Sequence, residues 1–243
     1  MESYIATGRT KTDEQKITKS IASLIICSTK TVDELTNENI TVWIERVNGS
    51  NVYLAQSVKL SDFLMLTNFG SDAIQSDATY KTIALCELSS DGAVQLNEGE
   101  SLKYKIDSLI STHTYAVYTV EDPVNTLELF LFDRKTIGSE ELQKSLDVRN
   151  ADLCVIDMHP SIKEISFKYE NGMQVKFLPF ELRTIARDID PVFSINQNAS
   201  VSQGHSQKVC LPLVAVNSIE FVKDTGAVIE ITTRKAGNLL TIE

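Results

Sequence analysis

Three observations in this 243-residue chain predict an all-β protein built as two consecutive antiparallel β-sandwiches. Alternating or wholly apolar runs of strand length recur throughout, divided by clusters of Gly, Asn, Asp and Ser, the pattern of strands joined by tight turns. A unit of strand, Asn-Gly turn, strand and short helix occupies Ile40 to Leu64 and returns from Ile162 to Ala186. The two turns, at Asn48 and Asn171, lie 123 residues apart, close to half the chain. At that offset Val42 falls on Ile165, Ile44 on Phe167, Val52 on Val175 and Leu54 on Phe177, so core positions land on core positions.

The elements follow in order. Residues 1–15 are polar and without periodicity, and read as an N-terminal arm that orders on a neighbour. Residues 16–135 form the first sandwich. Its opening stretch, Lys16 to Ser28, fits either a helix face or a buried strand, and the β-rich context favours a strand from Ser23. After the first repeated unit come strand candidates at Tyr80 to Leu88, Ala93 to Leu96, Leu102 to Ile106, Thr114 to Val120 and Leu127 to Phe132, eight in all from Ser23. Residues 136–150 read as a helical linker, because Leu142 and Leu146 sit four apart and Glu140 and Glu141 suit a first turn. Residues 151–243 form the second sandwich, with seven strand candidates from Leu153 to Ile242, and Pro212 marks one of them as an edge or a bulge. Phe180, Leu182, Ile185 and Ala186 stand at helical spacing. Asp188 to Gln207 is the longest irregular stretch, a length that usually serves a function or an interface.

Composition narrows the chemistry. A hydrophobic fraction of 42% is enough for a continuous core without staples. Cys27, Cys86, Cys154 and Cys210 are far apart and mostly in apolar runs, which reads as buried thiols rather than a zinc site. Met1 to Lys16 has no leader pattern, and no apolar run reaches the ~18 residues of a membrane span, so synthesis in a reducing cytosol is expected and the sequons at Asn39, Asn48 and Asn198 carry little weight. A net charge of −10 opposes any sequence-independent grip on nucleic acid, which depends on Lys and Arg releasing counterions.

No constellation of catalytic groups assembles from the sequence, and no catalytic, cofactor or metal residue is assigned. His113, His159 and His205 each stand alone in a loop context. Ser111 with His113, or Ser206 with His205, lacks a nucleophile elbow. Glu121-Asp122 and Asp188 with Asp190 could offer oxygens to calcium but follow no full calcium-loop pattern. Trp43 and Tyr53 point away from the core-facing residues of their strands, where they either meet a neighbour, lie exposed as a stacking platform, or sit under a loop.

In plan the chain resembles the double jelly-roll major capsid proteins of internal-membrane-containing icosahedral bacteriophages, the corticovirus-like group. The residues behind the resemblance are the Ile40 to Leu64 unit, its echo at Ile162 to Ala186, and the run in which Glu98-Gly99-Glu100 leads into Leu102, Tyr104 and Ile106, and Tyr115 to Val120 leads into Glu121-Asp122-Pro123 and Leu127 to Phe132. The resemblance implies two jelly rolls, a homotrimer that tiles a capsid lattice beside other capsid or vertex proteins over an internal membrane, a place in the virion after synthesis in the host cytoplasm, and no enzymatic activity. It also makes the arm and the loop from Asp188 to Gln207 the leading candidates for subunit contacts. Two other readings use the same features. A two-sandwich carbohydrate-binding or adhesive module would use Trp43 and Tyr53, and a ring-forming DNA clamp would need basic helices, for which only Phe180 to Arg187, with two arginines, is a candidate.

Overall fold

The computed structural model describes residues 3–70, 74–189 and 207–242. It divides into two compact units, Met1–Asp133 with Ala236–Glu243, and Arg134–Lys235.

In the first unit the strands are β1 (Ser3–Thr7), β2 (Gln15–Ile17), β3 (Ser23–Ser28), β4 (Asn39–Glu45) and β5 (Asn51–Lys59). Helix α1 (Leu60–Thr67) follows, then β6 (Thr82–Glu87), β7 (Ala93–Val94), β8 (Ser101–Asp107), β9 (Thr114–Val120), β10 (Asn125–Thr126) and the leading residues of β11 (Glu128–Ile137). One sheet has the order β1-β9-β3-β6. The facing sheet contains β2-β8-β4-β5, and β7 and β10 form a small parallel pair.

The second unit takes the remainder of β11, then β12 (Gln143–Asp147), β13 (Leu153–Asp157), β14 (Ile162–Tyr169), β15 (Gln174–Phe177), α2 (Pro179–Ile189), β16 (Lys208–Pro212), β17 (Val216–Lys223) and β18 (Ile229–Asn238), whose last residues return to the first unit. Its strand orders are β11-β18-β13-β16 and β12-β17-β14-β15. With the short β7 and β10 set aside, the main strands in each unit pair as first-eighth-third-sixth and second-seventh-fourth-fifth. That is the jelly roll, in which a long antiparallel ribbon is wrapped into two facing sheets. The chain is therefore two consecutive jelly-roll β-sandwiches, each with a helix between its fifth and sixth main strands.

The repeat read from the sequence holds to the level of single hydrogen bonds. Arg46 N donates to Ser50 O at 2.9 Å, Gly49 N to Arg46 O at 2.9 Å, and Ser50 N to the Asn48 side-chain carbonyl at 2.9 Å. The same three bonds recur at offset 123, from Tyr169 N to Met173 O, Gly172 N to Tyr169 O and Met173 N to Asn171 Oδ1, at 2.8, 3.0 and 3.0 Å. Cross-strand pairs recur too: Trp43 with Tyr53, Ile44 with Val52 and Glu45 with Asn51 match Ser166 with Lys176, Phe167 with Val175 and Lys168 with Gln174. A bulge between Val42 and Trp43 ends the correspondence there, so Val42 faces Ala55 whereas Ile165 faces Phe177.

Three sequence expectations are corrected. Residues 1–15 are not an unpartnered arm. β1 pairs with β9 from Ser3 opposite Tyr118 to Thr7 opposite Thr114, and β2 pairs with β8, so this segment supplies the first two strands of the jelly roll. Each of the two is the outermost strand of its sheet among the described residues. Residues 136–150 are not a helical linker: Gln143 to Asp147 pair with β17, burying Leu146 and leaving Leu142 exposed. A partner strand supplies hydrogen bonds over the whole length of a five-residue segment, which a short isolated helix cannot do. The run Leu127 to Phe132 is not the closing strand of the first sandwich but the start of β11, the first strand of the second; with β11 and β12 added, and Leu239 to Ile242 forming no strand, that unit has eight main strands among the described residues rather than seven.

Gly49 and Gly172 have φ of +82° and +81°, and a Cβ added to either meets nothing within 4 Å. The cost of alanine there is conformational, the left-handed penalty less the entropy gained by restricting the unfolded chain. Each of Gly49→Ala and Gly172→Ala is expected to lower unfolding stability by about 1 kcal/mol, read by urea denaturation with an unchanged m-value.

Candidate functional site

Among the described residues, those flagged for chemistry are dispersed. The His113 ring nitrogen pairs with Thr29 Oγ1 at 3.1 Å, and His159 Nδ1 accepts from the Ser161 backbone at 3.1 Å within its own turn. Glu121 forms an ion pair with Lys19, and that contact, by hydrogen bond and charge, holds its carboxyl below the ordinary value. Asp122 accepts from Val124 N at 2.8 Å, which is turn chemistry. His205, Ser206 and Asp190 lie outside the described residues, as does most of the stretch from Asp188 to Gln207. Among the described residues no group of three or more His, Cys, Asp or Glu side chains could hold a metal ion.

All four cysteines are buried and none is in a disulfide among the described residues. Desolvation pushes the thiol of Cys27 up to about 11 and those of Cys86 and Cys154 up to about 12. A thiol kept protonated in an apolar setting is a poor nucleophile and a poor metal ligand.

Trp43 is only 6% exposed, while its cross-strand partner Tyr53 is 41% exposed, with ring centroids 6.2 Å apart. Burial of the indole removes half of the stacking platform that a carbohydrate-binding reading requires. Of the two arginines kept in view for a nucleic-acid surface, Arg183 donates to the Met158 carbonyl at 2.8 Å, which ties it to the protein itself.

Two features escaped the sequence reading. The first is a buried polar cluster in the first unit, where Lys30 Nζ and the Tyr115 hydroxyl each donate to Glu38 Oε1 at 2.6 Å and Asn37 N donates to Oε2 at 3.1 Å. The Glu38 carbonyl accepts from Leu60 N at 2.8 Å, so one residue joins the loop after β3, strand β9 and the start of α1. Burial alone would raise the Glu38 carboxyl. The bonds from Lys30, Tyr115 and the backbone outweigh it and hold the group below its ordinary value. Nothing in the local pattern marks Lys30 and Glu38 as partners, because both stand in polar turns that would ordinarily be solvated.

The second feature is the unequal state of the two helices. In each unit the helix lies in the connection from the fifth main strand, β5 or β15, in one sheet to the sixth, β6 or β16, in the facing sheet. Every residue of α1 is buried. The Phe132 ring of β11, which stands opposite Ala55 of β5, lies 4.7 Å from the ring of Phe63 in α1. Helix α2 starts with Pro179 at its first position, and Glu181 Oε2 accepts from Leu178 N at 2.7 Å, a reciprocal N-terminal cap. Only Leu182 and Ala186 of α2 are buried.

The outer side of α2 is apolar and open. Phe180 is 65% exposed and Leu178 is exposed as well, while exposed Ile185, Ile189 and Val214 line, with Phe177 and Pro212, a groove of about 240 Å³. The sequence did carry a signal for this. Phe180 and Leu182 lie about 200° apart on a helix, so both cannot face one core.

No family model and no curated protein sequence matches the chain. Among solved structures it is similar to the major capsid protein P2 from bacteriophage PM2, with a TM-score of 0.53 and 9% identity over 97% of this chain and 94% of that one. What the two share is the fold. Matches to the PBSX exported protein XepA and to a triple jelly-roll turret protein of an archaeal virus have TM-scores of 0.24 and 0.23 at 10% and 11% identity, covering 97% and 96% of this chain and 82% and 58% of theirs. At those scores they add nothing to the argument.

The Glu38 cluster makes a stability prediction. A carboxyl whose folded value is depressed contributes stability that is present above its unfolded value and is lost as pH falls through the folded one. Stability of the first unit is therefore expected to decline below about pH 4. Glu38→Gln, which leaves Lys30 buried without its counter-charge, should cost about 3–5 kcal/mol at pH 7, measured by chemical denaturation, and should flatten the acid limb of the pH profile.

Proposed function

We propose that the chain is a structural virion protein, a self-assembling subunit of an icosahedral capsid. The observation that carries this reading is the architecture itself: two complete jelly rolls in one chain, with a fold similar over 97% of its length to a bacteriophage major capsid protein. Two sandwiches of one plan give each subunit two pseudo-equivalent bodies, so three copies can present six to a lattice. The unit is then a homotrimer of pseudo-hexagonal outline, set over an internal membrane as in the corticovirus-like group, and its place is the virion after synthesis in the host cytoplasm. Other capsid or vertex proteins would be its further partners.

Several features suit such a part. Closed sandwiches limit exposed strand edges in a protein that must be made at high concentration. A net charge of −10 favours solubility before assembly.

Light scattering and electron microscopy of the purified full chain test the reading. A stable trimer, and sheets or shells of six-lobed tiles under crowding or lowered pH, are expected. A clean monomer at millimolar concentration, with no assembled material under the microscope, overturns it.

A further inference from the structure

We infer that the groove beside α2 binds one aliphatic chain, that of a free fatty acid of about ten carbons. The site lies wholly within the second unit, and the inference does not depend on the capsid reading.

The groove opens between the two sheets of the second sandwich. Phe167 and Phe177 line it from one sheet, Leu211 and Pro212 from the other, and Ile185 and Ile189 from α2. The rings of Phe167 and Phe177 meet edge to face with centroids 5.7 Å apart, so each holds the other in place and this wall is formed in advance of any ligand. Phe167 and Leu211 also belong to the buried core of the unit, which makes the groove an extension of that core to the surface.

The first sandwich fills its own interior at the corresponding helix. Every residue of α1 is buried, and Phe63 and Leu64 are fully enclosed. Helix α2 buries only Leu182 and Ala186, and leaves Ile185 and Ile189 37% and 41% exposed along the groove. Water in such a slot meets apolar side chains, and replacing it by hydrocarbon is favourable in proportion to the area covered.

Three features select the occupant. Of the ten lining residues only Tyr169 has a side chain with a hydrogen-bonding atom. A polypeptide laid there would bring an N–H and a C=O for each residue with almost no side-chain partner for either, whereas a methylene chain brings neither. Size limits the ligand to one chain. An apolar cavity of about 150 Å³ holds one benzene, so by that scale a groove of about 240 Å³ takes roughly ten carbons and has no room for the second chain of a diacyl lipid. The lining also contains no charged side chain, so no headgroup is recognised there: the carboxylate stays in water, and chain length sets the affinity.

Calorimetric titration of the full-length protein with the sodium salts of hexanoic to tetradecanoic acid, each below its micelle concentration, tests this. One fatty acid per polypeptide is expected, with affinity rising about fourfold for each methylene and levelling off near decanoate, where the groove is full. Ile185→Trp fills the groove with the protein's own side chain, and Val214→Asp puts a charge on its lining. Each should abolish binding, while Phe180→Asp, at a residue outside the lining, should leave it unchanged. All three positions are exposed, and an unaltered thermal midpoint shows that loss of binding is not loss of fold. Absence of saturable binding at every chain length overturns the inference, and is the result expected if another segment of the same chain fills the groove. An affinity indifferent to chain length, or to both groove variants, overturns it as well. So does a wild type that floats with phosphatidylcholine vesicles and takes up no free decanoate, which would make the face a membrane contact. Decanoate that the monomer binds and self-association expels would assign the groove to a second copy of the chain, and also overturns it. Binding by a chain that never assembles leaves this inference standing and removes only the capsid reading.

Discussion

A wrapped two-sheet sandwich has one side where neither sheet supplies a strand to close the gap, and closing that side is the constraint on which the rest of this structure depends. Each unit meets it in the same place, with a helix between the fifth and sixth main strands. In the first unit α1 carries Leu60, Phe63, Leu64 and Leu66 into the gap, where the Phe63 ring meets that of Phe132. In the second, α2 turns only Leu182 and Ala186 inward. One fold thus contains a finished and an unfinished version of the same edge.

The finished edge also explains the buried cluster at Glu38. A helix N-terminus placed inside a sandwich leaves backbone N–H groups away from water, and each must find an acceptor. The Glu38 carbonyl serves Leu60, which draws the whole residue into the interior, and Lys30 with Tyr115 then satisfies its carboxylate. The second unit, whose helix starts at the surface with Pro179 and the Glu181 cap, has no need of a buried charge at this point. In the second unit a buried lysine does appear elsewhere: Lys223 donates to the carbonyls of Ser139 and Asp224, so backbone dipoles accept its ammonium protons.

The parts of the fold that were legible in the sequence share a local cause. Asn48-Gly49 and Asn171-Gly172 announce hairpins because a left-handed glycine and an asparagine side chain that bonds two residues ahead are demands of the turn alone. The buried strand at Ser23, the two helices and the edge position of Pro212 are similarly written in nearest neighbours. Where the reading failed, a distant partner decided. Ser3 to Thr7 has too little hydrophobicity to declare itself, yet β9 offers it a full ladder. Leu142 and Leu146 have helical spacing, yet β17 pairs with Gln143 to Asp147 and buries only one of them. Ile40, Val42 and Ile44 alternate as in a half-buried strand, but β4 lies between β5 and β8 and Thr41 and Trp43 are buried too.

By itself, then, the sequence determined an acidic all-β chain with the same strand-turn-strand-helix unit twice at a spacing of 123 residues, because turn chemistry and period-two alternation act over a few residues. Only the tertiary structure decided which strand begins each sandwich, which aromatic rings are covered, and that one of two equivalent helices keeps an apolar side in water. Those outcomes depend on hydrogen-bond ladders and packing between segments a hundred residues apart, and no local pattern encodes the partner.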